Sequence, residues 1–374
     1  MKKVFTILSA AIISMGVYAQ DVQQAAVEAA QAISAAPEAA PKVEKPKYWT
    51  TSLKTQINVG QTGLFNWAAG GDNTVSLAAF IDGNANWKKG EMFWNNRLQL
   101  DYGFLYASSK PLLQKSTDRI YLESKWGYKA PSTKHLYFSA NYDFKSQFST
   151  GYDYKTPSKL TDDNGNDLVG ADLRQAWRDA RVLKSGFLAP AYTKIALGLD
   201  YVPTKWLSVN FAPLTGGFVI VRDAALRESY SMKAKKSTTA EMITAAKDAL
   251  AAATTAEEKE SATNALGNLY RAANFEFGAQ LKLDAKVNVN DNFAYSTQVV
   301  LFANYLDIDH CPRINWDNRI DWKLAKYFSL TLTTNLIYDD TIMIADKDGN
   351  NPKARVQFKE SIAFGFTYTI ANKK

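Results

Sequence analysis

The chain has one cysteine, Cys311, and two histidines, His135 and His310, in 374 residues. One cysteine excludes an internal disulfide, so the fold is closed by something other than covalent staples. No Gly-x-Ser-x-Gly elbow, phosphate-binding glycine loop or zinc-ligand spacing occurs. Beyond residue 19 no apolar run is long enough for a membrane-spanning helix. Charge of one sign is also scarce. The formal net charge is +7, without the basic stripe interleaved with aromatics that nucleic-acid binding needs, so no nucleic-acid partner is expected. What the chain does have is aromatics, at 13% of residues, together with a mean hydropathy of only -0.27. That combination suits a membrane β-barrel, in which only every second residue of a strand must be apolar.

The N-terminus reads as export machinery. Lys2-Lys3 precedes an apolar core from Val4 to Val17, and Val17-Tyr18-Ala19 is a small-residue cleavage site. Residues 1–19 are therefore expected to be a signal peptide. Residues 20–46, rich in Ala, Pro, Glu and Gln and free of aromatics, are expected to form a periplasmic tether. The barrel is assigned to residues 47–374.

From Thr51 onward about twelve segments alternate apolar and polar residues. In 275–289, Phe275, Phe277, Ala279, Leu281, Leu283, Ala285, Val287 and Val289 share one face. Glu276, Gly278, Gln280, Lys282, Asp284, Lys286 and Asn288 share the other. An unbroken period of two is a strand pattern that no helix produces. Segments 314–324 and 358–370 repeat it. The fold expected is all-β: an antiparallel transmembrane β-barrel of about twelve strands, with a small helical hairpin inserted in one outer loop.

Breaks near 88–91, 129–134, 202–205, 289–292 and 325–327 are short. Those near 61–73, 107–117, 150–188, 222–273, 306–313 and 339–355 are longer. Trp49, Trp87, Trp94, Trp126, Trp206 and Trp322 all stand by the short set. Indole favours the water–lipid boundary, so these six are expected to form a membrane girdle at the periplasmic end. A soluble antiparallel sandwich would also alternate, but would not place tryptophan repeatedly at one end.

The polar faces supply a lumen. Its cations would be Lys54, Arg97, Lys125, Lys145, Lys194, Lys282, Lys286, Arg319 and Lys323. Its anions would be Asp82, Asp101, Glu123, Asp143, Asp200, Glu276, Asp284, Asp317 and Asp321. Diffusion pores carry rings of one sign. Balanced charges on neighbouring strands pair instead, which favours a largely plugged lumen over an open one.

Two loops could carry more. In 222–273, Thr238 with Glu241 and Thr255 with Glu258 have capping-box spacing, predicting helices to about Ala253 and Ala272. Loop 61–73 holds Asn66, Trp67, Gly70, Gly71 and Asp72. With Arg97 and Asp101 these are the candidate lumen or gate residues. The Asp/Asn/Gly clusters at 161–167 and 346–350 read as tight turns rather than calcium loops, because the closing glutamate is absent from its required place. His310 beside Cys311 makes a poor nucleophile pair, since adjacent residues of an extended loop point apart. No catalytic residue, metal or cofactor is expected.

One stretch, Phe65-Asn66-Trp67-Ala68-Ala69-Gly70-Gly71-Asp72-Asn73, resembles the domain-of-unknown-function 3078 family of Bacteroidota outer-membrane proteins. Supporting it are Trp94 to Gly103, Ala189-Pro190-Ala191-Tyr192 and Phe364 to Thr369. The resemblance implies an exported barrel and carries no activity with it. The expectation is then a porin-like outer-membrane barrel acting as a structural or assembly partner. Its partners would be outer-membrane lipid, the barrel-assembly machinery during insertion, and a protein docked at the outer loops. The competing readings are a narrow channel or transporter gated by loop 61–73 and, more remotely, a lipid-modifying enzyme.

Overall fold

The computed structural model describes residues 48–62, 73–131, 133–310, 312–344 and 353–372. The signal peptide, the tether, Cys311, Asn66, Trp67, Gly70, Gly71, Asp72 and the 346–350 turn lie outside the described residues.

The strands in chain order begin with β1 (Trp49–Thr62), β2 (Thr74–Lys89), β3 (Met92–Ala107), β4 (Lys110–Lys129) and β5 (Leu136–Ser146). A small hairpin of β6 (Gly151–Tyr154) and β7 (Arg181–Ser185) precedes β8 (Ala191–Thr204), β9 (Leu207–Ile220), β10 (Ala273–Asn288), β11 (Phe293–Asn304), β12 (Arg313–Lys323) and β13 (Phe328–Tyr338). A second hairpin, β14 (Met343–Ile344) with β15 (Lys353–Ala354), precedes β16 (Gln357–Asn372). Leaving out the two hairpins, the other strands pair antiparallel with their neighbours and form a closed barrel of twelve. The first and last strands seal it, from Thr51 opposite Asn372 to Asn58 opposite Gly365. Closure leaves the barrel itself without a sheet edge, so its strand backbone groups pair without water.

The pleat turns the sequence alternation inside out relative to a soluble protein. Leu281 is 39% exposed, while the next residue, Lys282, is 3% exposed. Leu53, Ile57, Leu77, Leu98, Ile195, Phe211, Phe275 and Phe364 likewise point outward and are exposed, which is the surface a lipid solvent requires. Gln56, Gln99, Asn141, Asp200 and Asn210 point inward and are buried.

The connections divide as the sequence indicates, with one correction. The 107–117 segment is not a long loop: β3 ends at Ala107 and β4 begins at Lys110. Register shifts between Gly103 and Phe104 and between Tyr106 and Ala107 absorb the irregular stretch. In the 150–188 loop the structure adds helix α1 (Gly170–Asp179), whose Trp177 is buried and which packs against β4.

The helical hairpin consists of α2 (Ala240–Ala252) and α3 (Ala256–Asn268). Thr239, not Thr238, caps α2 by accepting from the Met242 amide. The Thr238 hydroxyl instead donates to the Leu269 carbonyl at 2.8 Å. Thr255 and Glu258 form the full capping box of α3, which ends at Asn268, short of Ala272. Gly267 lets α3 press onto the 224–226 turn, where a Cβ would meet the Ala224 carbonyl oxygen at 1.8 Å.

Candidate functional site

Four of the six girdle tryptophans share one cross-strand row: Trp49 opposes Trp87, Trp87 opposes Trp94 and Trp94 opposes Trp126. The Trp49 and Trp94 rings lie 6.0 Å apart, and Trp94 Nε1 donates to Ser124 Oγ at 2.8 Å. An amphipathic ring with a satisfied N–H suits a boundary between oil and water. Trp206 and Trp322 are also exposed at this short-turn end.

Inside, charged side chains are linked across the lumen. Lys282 on β10 reaches Glu123 on β4 at 2.7 Å and Asp143 on β5 at 3.7 Å, although β9 and β8 separate it from β5 around the wall. The single Tyr121 hydroxyl proton lies within reach of both carboxylates, 3.1 Å from Glu123 and 3.0 Å from Asp143. Lys125 holds Asp200 at 2.6 Å and donates to Ser208 at 3.1 Å. Arg97 clamps Asp82 with two hydrogen bonds, of 3.0 and 2.7 Å.

A second group spans the seam of the barrel. Arg319 donates to Asp321 and, at 2.9 Å, to Gln56 on β1, and its guanidinium sits 4.5 Å over the Phe80 ring. Lys54 pairs with Asp321 at 3.0 Å. A third group lies nearer the long-loop end. There Arg313 pairs with Glu276 at 2.7 Å, and Lys194 and Arg313 sit 3.9 and 4.8 Å from the Phe302 ring. Buried pairs of this kind hold only while every member has its partner.

Of the candidate gate residues, Arg97 and Asp101 both face the lumen but do not pair with each other. Asp101 accepts from Arg119 at 2.7 Å. Among the other lumen residues, Asp284 accepts from Gln298 at 2.7 Å and Asp317 from Asn335 at 2.7 Å. Arg119, Arg313, Gln56 and Tyr121 were not singled out by the sequence reading. Strand parity does place the first two inward, with Lys125 and Arg319 respectively.

Below the lumen groups, at the short-turn end, opens a vestibule of about 660 Å³. Phe93 and Tyr137 form part of its wall, their rings 5.3 Å apart and edge to face. Lys125 and Asp200 belong to its lining, as do Lys88, Lys205, Asp284 and Lys286. At the other end Val221, Leu226, Met232 and Ala189 make a small apolar core. Tyr230 donates to the Lys184 carbonyl and Ser231 to the Thr341 carbonyl, tying three loops together.

Two loop features have a pH signature. The Asp307 carboxylate, 2.8 Å from His310, raises the imidazole above its ordinary value and is itself lowered. Glu258 is held down to about 2 by the Thr255 and Thr254 amides and the Thr254 hydroxyl. A carboxylate lowered on folding stabilises above its unfolded value of 4.5, and the contribution is lost as pH falls through the folded value. We therefore expect the Thr254 and Thr255 amides to lose exchange protection between pH 4.5 and about 2. In Glu258→Gln that pH step should vanish; a step unchanged in the variant would refute the assignment. In the 161–167 loop, Asp162 accepts from the Asn164 and Asn166 amides at 2.9 and 2.8 Å, the geometry of a tight turn.

Residues 59–152 match the family model described as "Protein of unknown function (DUF3078)". The matched stretch runs from the end of β1 to β6 and carries Arg97, Asp101, Glu123 and Asp143. No curated protein matches the chain. Similar solved structures are outer-membrane proteins. An outer membrane channel from Pseudomonas putida F1 is 10% identical with TM-score 0.32, covering 90% of this chain and 100% of that one. The translocator domain of autotransporter NalP from Neisseria meningitidis is 12% identical with TM-score 0.31, covering 93% and 95%. The NanC porin is 6% identical with TM-score 0.32, covering 85% and 98%.

Proposed function

We propose that this DUF3078 protein is an outer-membrane barrel with a lumen closed by its own side chains, acting as a structural or assembly partner and not as an enzyme. The observation that carries this reading is Lys282: a lysine 3% exposed, reaching across part of the lumen from β10 to carboxylates on β5 and β4, three and four strands away round the wall. A solute large enough to need a pore would have to break that link and leave charges unpaired, at a cost of several kcal/mol. The short-turn, tryptophan-flanked end faces the periplasm in this reading. The outer loops, tied to one another through Tyr230 and Ser231, present the 238–272 hairpin as a docking surface.

Liposome swelling tests the closed lumen. Wild-type barrels should admit no sugars or amino acids, and rapid uptake would contradict the proposal. Deleting 238–272 should remove partners that co-purify after mild detergent extraction; an unchanged set would end the docking role of the hairpin. A narrow channel remains the second reading. What favours it is that the lumen side chains of Arg97 and Arg119 keep 35% and 34% of their surface accessible.

A further inference from the structure

The vestibule is a cavity with an uneven charge balance. Two of its carboxylates are satisfied: Asp200 by Lys125 and Ser208, and Asp284 by the Gln298 amide. Three of its lysines, Lys88, Lys205 and Lys286, have no carboxylate within ion-pair distance among the described residues. Lys205 in the β8–β9 turn and Lys286 on β10 stand side by side, the Lys286 amide donating to the Trp206 carbonyl at 2.8 Å, and Lys88 comes from β2, so two parts of the wall present cations to one space. The rim repeats the sign. The short turns carry Lys89, Lys134 and Lys326 in addition, against Glu91 and Asp291, and Glu91 is already paired with Lys129 at 3.0 Å. A concave site with cations of one sign draws anions in and strengthens their binding by excluding water.

The wall also has an apolar part. Phe93 lies over Gly127, where a Cβ would meet its ring at 2.3 Å, and Tyr137 packs edge-on against it. That edge-to-face pair supplies an apolar wall in the same cavity as the lysines. We infer that the vestibule binds an anionic oxygen group, carboxylate or phosphate, carried on a small apolar or aromatic body. Lys286 pairs with the anion, Lys88 and Lys205 add to the positive field of the cavity, and Phe93 and Tyr137 hold the body. The Lys125–Asp200 pair forms part of the site's wall. The inference goes beyond the closed-lumen reading and does not depend on it, because binding is read in detergent and permeation in liposomes.

Calorimetry on the purified full-length barrel tests it with four probes of one shape: 1-naphthyl phosphate, 1-naphthoate, neutral 1-naphthol and cationic 1-naphthylmethylammonium. Saturable binding of the anions, absent for the neutral and cationic probes, is the expected result. Lys88→Gln/Lys286→Gln should weaken it by about tenfold or more, Lys286→Arg should retain it, and Lys236→Gln, in the long loop 222–273 away from the cavity, should leave it unchanged. Strand content by circular dichroism establishes that each variant is folded. The phosphate and carboxylate arms separate a phospholipid-type headgroup from a carboxylate-bearing molecule. Equal binding of 1-naphthol, unchanged binding in the folded double variant, or no saturable binding of either anion would overturn the proposal.

Discussion

Replacing Lys282 with methionine is expected to destabilise the barrel by about 3–5 kcal/mol, read as a shift in the urea unfolding midpoint. Lys282 is 3% exposed, and its ammonium holds Glu123 at 2.7 Å and Asp143 at 3.7 Å. Methionine keeps the volume and removes the charge, leaving two neighbouring carboxylates that share the one proton of the Tyr121 hydroxyl. Loss of one partner from a buried network costs far more than the network contributes when intact. For that reason Lys282→Met/Glu123→Gln should regain part of the loss, although it departs further from the natural sequence. A double variant as unstable as the sum of two singles would show that the lysine and Glu123 are not coupled.

Gly278→Val should cost about 3–4 kcal/mol or prevent assembly of the barrel. At this position β10 and β11 approach so closely that a Cβ would meet the Ala303 carbonyl oxygen at 1.9 Å. Backbone cannot move aside as a flexible side chain can. The Gly278–Asn304 pairing has to part, next to the register shift by which β10 meets β9. Gly186→Val is the control: nothing lies within 4 Å of a Cβ there, and the change should stay within about 0.5 kcal/mol. The two variants can be compared by the yield of folded barrel and by the urea midpoint. Equal effects would remove the steric argument.

Much of the barrel was legible because lipid imposes a strict rule. Leu281 must face out and Lys282 in, and a one-residue slip would reverse every such pair. The rule fails where lipid is absent. Only Ser108 and Ser109 form the turn there; β4 already runs through Lys110, Pro111 and Lys115, where the mixed sequence reads as loop. Helix α1 escaped for a related reason. Its N-cap, Val169, makes no side-chain hydrogen bond and Trp177 is its buried residue, so neither capping chemistry nor a broad apolar stripe announced it. In α2 the capping-box spacing of Thr238 with Glu241 points one residue early: Thr239 is the cap, and the Thr238 hydroxyl donates to the Leu269 carbonyl.

The lumen was half legible. Parity states which charges point inward, and it placed Lys125, Asp200, Lys282 and Glu123 correctly. Which of them meet depends on the circumference and stagger of the closed barrel. Lys282 and Glu123 are 159 positions apart, and no local pattern links them. The vestibule escaped entirely, since it gathers Lys88, Lys205 and Lys286 from one turn and two strands that are distant in sequence.

Single-channel recording in planar bilayers distinguishes a closed lumen from a conducting one. Wild-type barrels at high protein load should leave the bilayer without stable conductance steps, and Lys282→Met combined with Arg319→Ala should introduce them. Large, steady steps from the wild-type protein, unaltered by those substitutions, would contradict the closed lumen.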